Sequence, residues 1–372
     1  MAVLRMASHM AASWAGRAAR WCCAGVLLLL LPGCAQYGYY LQSVRGQLDI
    51  WSRERPIPDV ITDTASPPAL RDKLAIALRA REFASTELGL PQNQSYRRYA
   101  DLERPFVVWN VFAAPEFSTQ PVQWCFVMAG CVTYRGYFAK ADADAFAAQA
   151  GATGHDVYVG GVPAYSTLGW FADPVLNTFI HYSAAEVARL IFHELSHQVV
   201  YVKDDSVFNE SFAVVVEREG VRRWIDKHGS VQDRQLFENQ QRYRAEFIAL
   251  VQTYRGRLDA LYQQRIAPEA MREAKQRLFG DMQRDYQQLK ASWGGFAGYD
   301  RWFAQKPNNA LLASVAIYTQ RVPAFEALLR EQGGDLPKFF AVVKALARQD
   351  KAAREAALAR YGLEASVAAG AL

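Results

Sequence analysis

His193 and His197 stand four residues apart between apolar flanks, in LIFHELSHQVV. That spacing constrains this chain more than any other feature. Residues four apart share one face of a helix, one turn along. Both rings can then present a nitrogen to one ion. Glu194 lies about 100° further round the helix and would not naturally be a third ligand. It is placed to hold a water beside the ion, so HExxH on a helix is a zinc arrangement with a built-in general base. The competing reading is two satisfied histidines in a helix packed under a sheet. Against it, Leu190, Ile191, Phe192, Val199 and Val200 make this a buried helix. Burying two imidazoles and a carboxylate without compensation is costly, and metal coordination is a common compensation.

Glu210 is available as a third ligand. The helix is expected to start after Ser183 as N-cap and run to about Val202, about 7 or 8 Å beyond His197. The connection KDDSVFN can extend up to about 23 Å. A second helix, from near Asn209 toward Lys227, can therefore return Glu210 to the ion. His193, His197 and Glu210 plus water make the open tetrahedral site of a catalytic zinc, one ion per chain. Zinc acidifies water and polarises a carbonyl. Glu194 would take the water's proton and pass it to a leaving amine. Glu186 and Glu217 lie on helical faces suited to orienting a histidine.

The segments around this motif mix two periodicities. PFVVWNVFAA, VQWCFVMAGCVTY and HDVYVGGVPAY read as strands, the first two antiparallel. SPPALRDKLAIALRAREFASTELGL, with Ser66 as N-cap, and AKADADAFAAQAGATG read as helices. YSTLGWFADPVLNTFI fits no single element. Its Trp170 and Phe171 either line a pocket or plug the core. From Val231 to Trp293 the chain reads as an antiparallel helical hairpin broken near Pro268, with Phe247, Leu250, Val251, Tyr254, Leu258 and Leu261 on one face. A packed arm is favoured over a partner surface. Further helices follow, around NNALLASVAIYTQ and PAFEALLREQ. The expected class is α+β: a mixed region over residues 35–230 holding the metal site, with a small antiparallel sheet packed on the HExxH helix, then a helical region over 231–372 with its hairpin at 231–293.

Residues 1–34 read as a targeting segment. Arg5, Arg17 and Arg20 precede the apolar run from Ala24 to Leu31, which is too short to span a bilayer. Leu31-Pro32-Gly33-Cys34 is similar to a bacterial lipobox. Cys34 would then carry lipid, on the periplasmic face of the cell envelope, and the Ala35 that follows favours the outer membrane. Export leaves Cys125 and Cys131, an even pair suited to a disulfide in an oxidising compartment; two buried free thiols are the alternative. The charge of +5, with Lys and Arg spread out, leaves no electrostatic footprint for nucleic acid.

HELSHQ followed by NESFA resembles the gluzincin metallopeptidases, above all zinc aminopeptidases with HELxHQ and then NEGFA. On that resemblance His193, His197 and Glu210 are ligands and Glu194 the base, with Asn209, Phe212 and Ala213 matching the flanks. The segment between the two motifs is several residues shorter here. GCVTYRGYF, AYSTLGWFADP and YVKDDSVFNESFA are similar to the bacterial family of predicted aminopeptidases, often lipoproteins, over most of the chain after Cys34. The resemblance implies a gluzincin-like core, a peptide substrate and a tyrosine that stabilises the oxyanion. Tyr318 is the counterpart by position, with Tyr165 and Tyr201 as rivals. An aminopeptidase must also receive the substrate's ammonium. No GAMEN-like strand is present, and Asp173, Asp204 and Asp205 are the acids considered. The alternative function is a non-catalytic envelope lipoprotein, stabilised by zinc, that binds an unidentified protein partner.

Overall fold

Pairing of the Val-, Phe- and Trp-rich segments sets the β part of the fold. In the computed structural model, which describes residues 38–126 and 130–369, strand β3 (Val108–Pro115) lies between β6 (Arg135–Tyr137) and β7 (His155–Val162), antiparallel to both. A second small sheet joins β1 (Arg55–Pro56), β2 (Arg98–Ala100) and β8 (Val175–Leu176). Strands β4 (Trp124–Phe126) and β5 (Gly130–Val132) form a ladder in which Cys125 faces Cys131, and the two are disulfide-bonded. With helices making up most of the remainder, the chain is α+β. The targeting segment 1–34 and Cys34 lie outside the described residues. No helix among the described residues is long and apolar enough to cross a membrane.

The chain divides at Ser52–Arg53 into two units. The described part of the first is one helix, α1, from residue 38 to the boundary. The second holds α2 (Ile57–Thr62), α3 (Pro68–Thr86), α4 (Lys140–Ala152), α5 (Asn177–Ile180), α6 (Ala184–Ser196), α7 (Ser206–His228), α8 (Val231–Tyr262), α9 (Pro268–Ser292), α10 (Asp300–Phe303), α11 (Asn309–Thr319), α12 (Val322–Glu331), α13 (Leu336–Ala347) and α14 (Lys351–Ala369). Helix α6 packs chiefly on α7 and α3, while the β6-β3-β7 sheet packs on α4 and α11, and α11 in turn packs on α7. The sheet therefore reaches the HExxH helix largely through α11 and α7.

The start of α6 matches expectation, with Ser183 accepting from the Glu186 amide. Its end does not. The helix stops at Ser196, with His197 as its C-cap, rather than running to Val202. Asn209 accounts for the break before Val202, and the Gln198 side chain, just past the helix, accepts from Asn93 Nδ2 at 2.6 Å and donates to Ser95 Oγ at 3.2 Å. Asn209 takes both backbone groups of Val202, accepting from its N–H at 2.7 Å and donating to its carbonyl at 2.8 Å. Backbone groups held this way cannot join a helical ladder. Helix α7 also starts earlier than expected, at Ser206, because Asp205 caps it by accepting from the Phe208 amide.

Helices α6 and α7 approach closely at Gly220. A Cβ there would fall 2.7 Å from the Phe192 ring and 2.8 Å from a Leu88 methyl. Phe192 precedes His193, so this contact sets the height of the first histidine against α7.

The hairpin forms as α8 and α9, with the six predicted α8 residues buried. It is a packed arm. Lys275 donates to Asp156 at 2.7 Å and to the Glu116 carbonyl at 2.8 Å, and Arg272 pairs with Glu116. Tyr262 donates to Asn309, whose own amide donates to the Glu116 carbonyl. These bonds tie the hairpin and the first turn of α11 to the end of the β3–β7 ladder. Replacing Gly220 with Val should force α6 off α7 and lower unfolding free energy by about 2 kcal/mol, within the usual range for overpacking; urea denaturation with circular dichroism measures it.

Candidate metal centre

Four buried residues on two helices converge. His193 and Glu194 lie on the last turn of α6, His197 caps it, and Glu210 comes from the second turn of α7. One ligand atom from each of His193, His197 and Glu210 lies within 4.8 Å of the others. Glu210 Oε2 sits 3.2 Å from His193 Nε2 and 3.7 Å from His197 Nε2. The rings stand nearly perpendicular, 4.9 Å apart. Such a set of two imidazole nitrogens and one carboxylate oxygen could hold a metal ion.

Glu217 explains how His193 is aimed. It lies seven residues, about two turns, beyond Glu210, so both carboxylates share one face of α7. Glu217 accepts from His193 Nδ1 at 2.8 Å, which leaves Nε2 directed at Glu210. It also accepts from Arg189 on α6 at 3.0 Å and from Arg244 on α8 at 3.2 Å. The other acid considered, Glu186, bonds Arg189 instead. Arg189 and Arg244 were not legible as site residues in the sequence. A helical spacing from His193 to Arg189 was visible, but nothing marked Arg244.

Electrostatics follow from this packing. Burial works against protonation of His193, yet its bonds to Glu210 and Glu217 win and raise its pKa to about 10. Burial pushes His197 down to about 4, the neutral form a ligand needs. Its Nδ1 is buried with no hydrogen-bond partner among the described residues. Burial would raise Glu217, but Arg189, His193 and Arg244 hold it well below the usual carboxylate range. Glu210 is likewise held low, against its burial, by His197 and His193. Glu194 is pushed up to about 7, first by burial, opposed by His193, with Glu210, Asp173 and Glu217 adding repulsion. It makes no hydrogen bond among the described residues.

A family model described as "Putative aminopeptidase" matches residues 38–358. The chain belongs to that family. No match is found among curated proteins or among solved structures. Membership of an aminopeptidase family points to a peptide substrate.

The remaining candidates separate clearly in this aminopeptidase-family chain. The Tyr318 ring lies 6.4 Å from the His193 ring, and its phenol is raised by burial and by Glu210, Glu194 and Glu217 among its neighbours. Tyr201 is also within the field of Glu210. Tyr165 packs edge-on against Phe138. Asp204 accepts from the Cys131 amide, and Asp205 caps α7 and pairs with Arg354 at 2.6 Å, so both do structural tasks. Asp173 is buried, and desolvation raises it to about 6 against hydrogen bonds from the Thr167 and Ser166 loop. Trp170 and Phe171 are exposed and do not plug the core. The fixed point of this site is Glu217. Glu217→Ala would strand Arg244 and His193 Nδ1 and leave Arg189 with Glu186 alone, and stability should fall by about 3–5 kcal/mol in guanidinium titration.

Proposed function

We propose that this protein is a zinc-dependent peptide hydrolase, an aminopeptidase of gluzincin type, anchored in the bacterial cell envelope by lipid on Cys34. The buried convergence of His193, His197 and Glu210 carries this reading. The donor set fits a zinc ion. His197 is held in its neutral form, His193 has its far nitrogen tied to Glu217, and Glu210 is held as an anion. When bound, zinc supplies a Lewis acid that acidifies water and polarises a scissile carbonyl.

The chain's own residues do the rest. Glu194 is the general base. A carboxyl group poised near neutrality can both take a proton from water and return it to a leaving amine. Tyr318 keeps its proton and is positioned near His193 to donate toward a developing oxyanion. Glu217 fixes the tautomer of His193. The alternative, a non-catalytic zinc-stabilised lipoprotein that binds a protein partner, gives Glu194 no task. A buried carboxylate without a hydrogen bond is costly, and a structural site does not need it.

Envelope anchoring rests on the lipobox-like Leu31-Pro32-Gly33-Cys34. The Cys125–Cys131 disulfide is in keeping with an oxidising compartment. Labelled palmitate should enter the wild-type chain and not Cys34→Ala; incorporation into neither rules the anchor out.

Ligands and base should fail differently on substitution. His193→Ala, His197→Ala or Glu210→Ala should lose bound zinc, measured by metal analysis, and lose peptide hydrolysis with it. Glu194→Gln should keep about one zinc per chain while turnover drops at least about a hundredfold, the usual worth of a general base. Full activity in Glu194→Gln would sink the hydrolase reading. Full zinc retention in Glu210→Ala would move the third ligand elsewhere.

A further inference from the structure

We propose that a cavity at the start of α7, the end of α11 and the start of α14 binds a phosphate group through Arg255, Arg321, Lys351 and the Thr133 hydroxyl. This site is independent of the hydrolase reading.

The cavity has a volume of about 220 Å³, and the charges around it are uneven. Arg255 comes from α8, Arg321 is the N-cap of α12, and Lys351 and Arg354 come from the first turn of α14. The acids that line it are Asp205 and Glu355. Arg354 is taken up by Asp205, at 2.6 and 3.0 Å, and by the Gln349 carbonyl at 2.8 Å. Among the charged lining residues, the exposed Glu355 alone then faces Arg255, Arg321 and Lys351.

None of these three cations has an acid partner among the described residues. Arg255 makes one hydrogen bond through its side chain, to the Thr119 carbonyl at 3.4 Å, while the side chains of Arg321 and Lys351 make none. Asp259, whose charge reaches Arg255, accepts instead from Thr119 Oγ1 at 2.6 Å. Two atoms carry the argument further. Arg255 Nε is buried with no hydrogen-bond partner among the described residues. The same is true of Thr133 Oγ1, in a residue 7% exposed between β5 and β6 that lines the same cavity. Buried polar atoms without partners are uncommon, and two around one basic cavity point to an anion that bonds them.

Donors from four separate segments suit phosphate, which accepts on several oxygens at once. A guanidinium matches its geometry and is weakly hydrated, so little is lost in bringing the two together. Phe208, Ala316 and Leu358 form an apolar part of the wall, suited to the organic part of a phosphate monoester. The framework is fixed beforehand. The Arg321 amide donates to Ser211 Oγ on α7 at 3.2 Å, and the Arg354–Asp205 pair holds the start of α14 to the start of α7. Arg321 and Lys351 thus stand on elements already fastened to α7, which lowers the ordering cost of binding.

Calorimetric titration of the full chain with inorganic phosphate and with phenyl phosphate, at constant ionic strength, tests this. Wild type should bind at least one of the two saturably, one per chain. Tighter binding of phenyl phosphate assigns the site to a monoester, and equal or weaker binding assigns it to the free ion. Arg321→Gln and Arg255→Gln should each weaken binding at least about tenfold, as for a lost hydrogen bond to a charged group. Arg330→Gln, an exposed charge outside the cavity, should leave it unchanged. Lys351→Gln changes an exposed residue and should also weaken binding; it decides the matter if the arginine variants do not fold. No saturable binding of either probe, or equal weakening by Arg330→Gln and Arg321→Gln, overturns the proposal. Binding that a chelator abolishes and Arg321→Gln retains puts the anion on the metal centre and overturns it too.

Discussion

Glu217 is a carboxylate whose side chain is 1% exposed, and donors from two other helices meet on it. His193 and Arg189 arrive from α6 and Arg244 from α8, while Glu217 itself belongs to α7. A charge buried this deeply is tolerable only when its lone pairs are filled. Filling them fixes the relative position of all three helices. The rotation of the His193 ring is a by-product of the same bonds. The aim of a ligand and the packing of the core are here one constraint, so neither can relax without the other.

A second constraint acts on the segment between the histidines and Glu210. The connection is short, and α6 must end at once after His197 for α7 to turn back. Asn209 achieves the reversal by binding both backbone groups of Val202. Glu210 follows it directly on α7, so the bond that folds the connection also places the carboxylate. Gly220 then lets α6 and α7 lie close enough for the histidines to reach it.

The helical part of the chain beyond residue 230 serves the site as well as packing beside it. Bonds from Lys275, Tyr262 and Asn309 anchor α11 at the end of the β3–β7 ladder. Ala310 and Ile317 of α11 pack against Phe112 and Ala114 of β3, and Tyr318, beside them, falls next to His193. The hairpin thus carries Arg244 to Glu217 directly and places Tyr318 at a distance.

By itself the sequence determined the elements and the local geometry of the motif. The four-residue spacing of His193 and His197 is a property of any helix, and the apolar flanks already required that helix to be buried. The periodic face of α8 and the alternating strands were legible for the same reason: each is written in contacts a few residues apart. The end of α6 was misread because Asn209, which holds both backbone groups of Val202, acts from outside the helix. Only the tertiary structure chose Glu217 over Glu186 and gave Asp204 and Asp205 structural tasks. It alone revealed Arg244 as a support of Glu217. These choices depend on which buried charges meet which donors across long stretches of chain, and no local pattern encodes such a meeting.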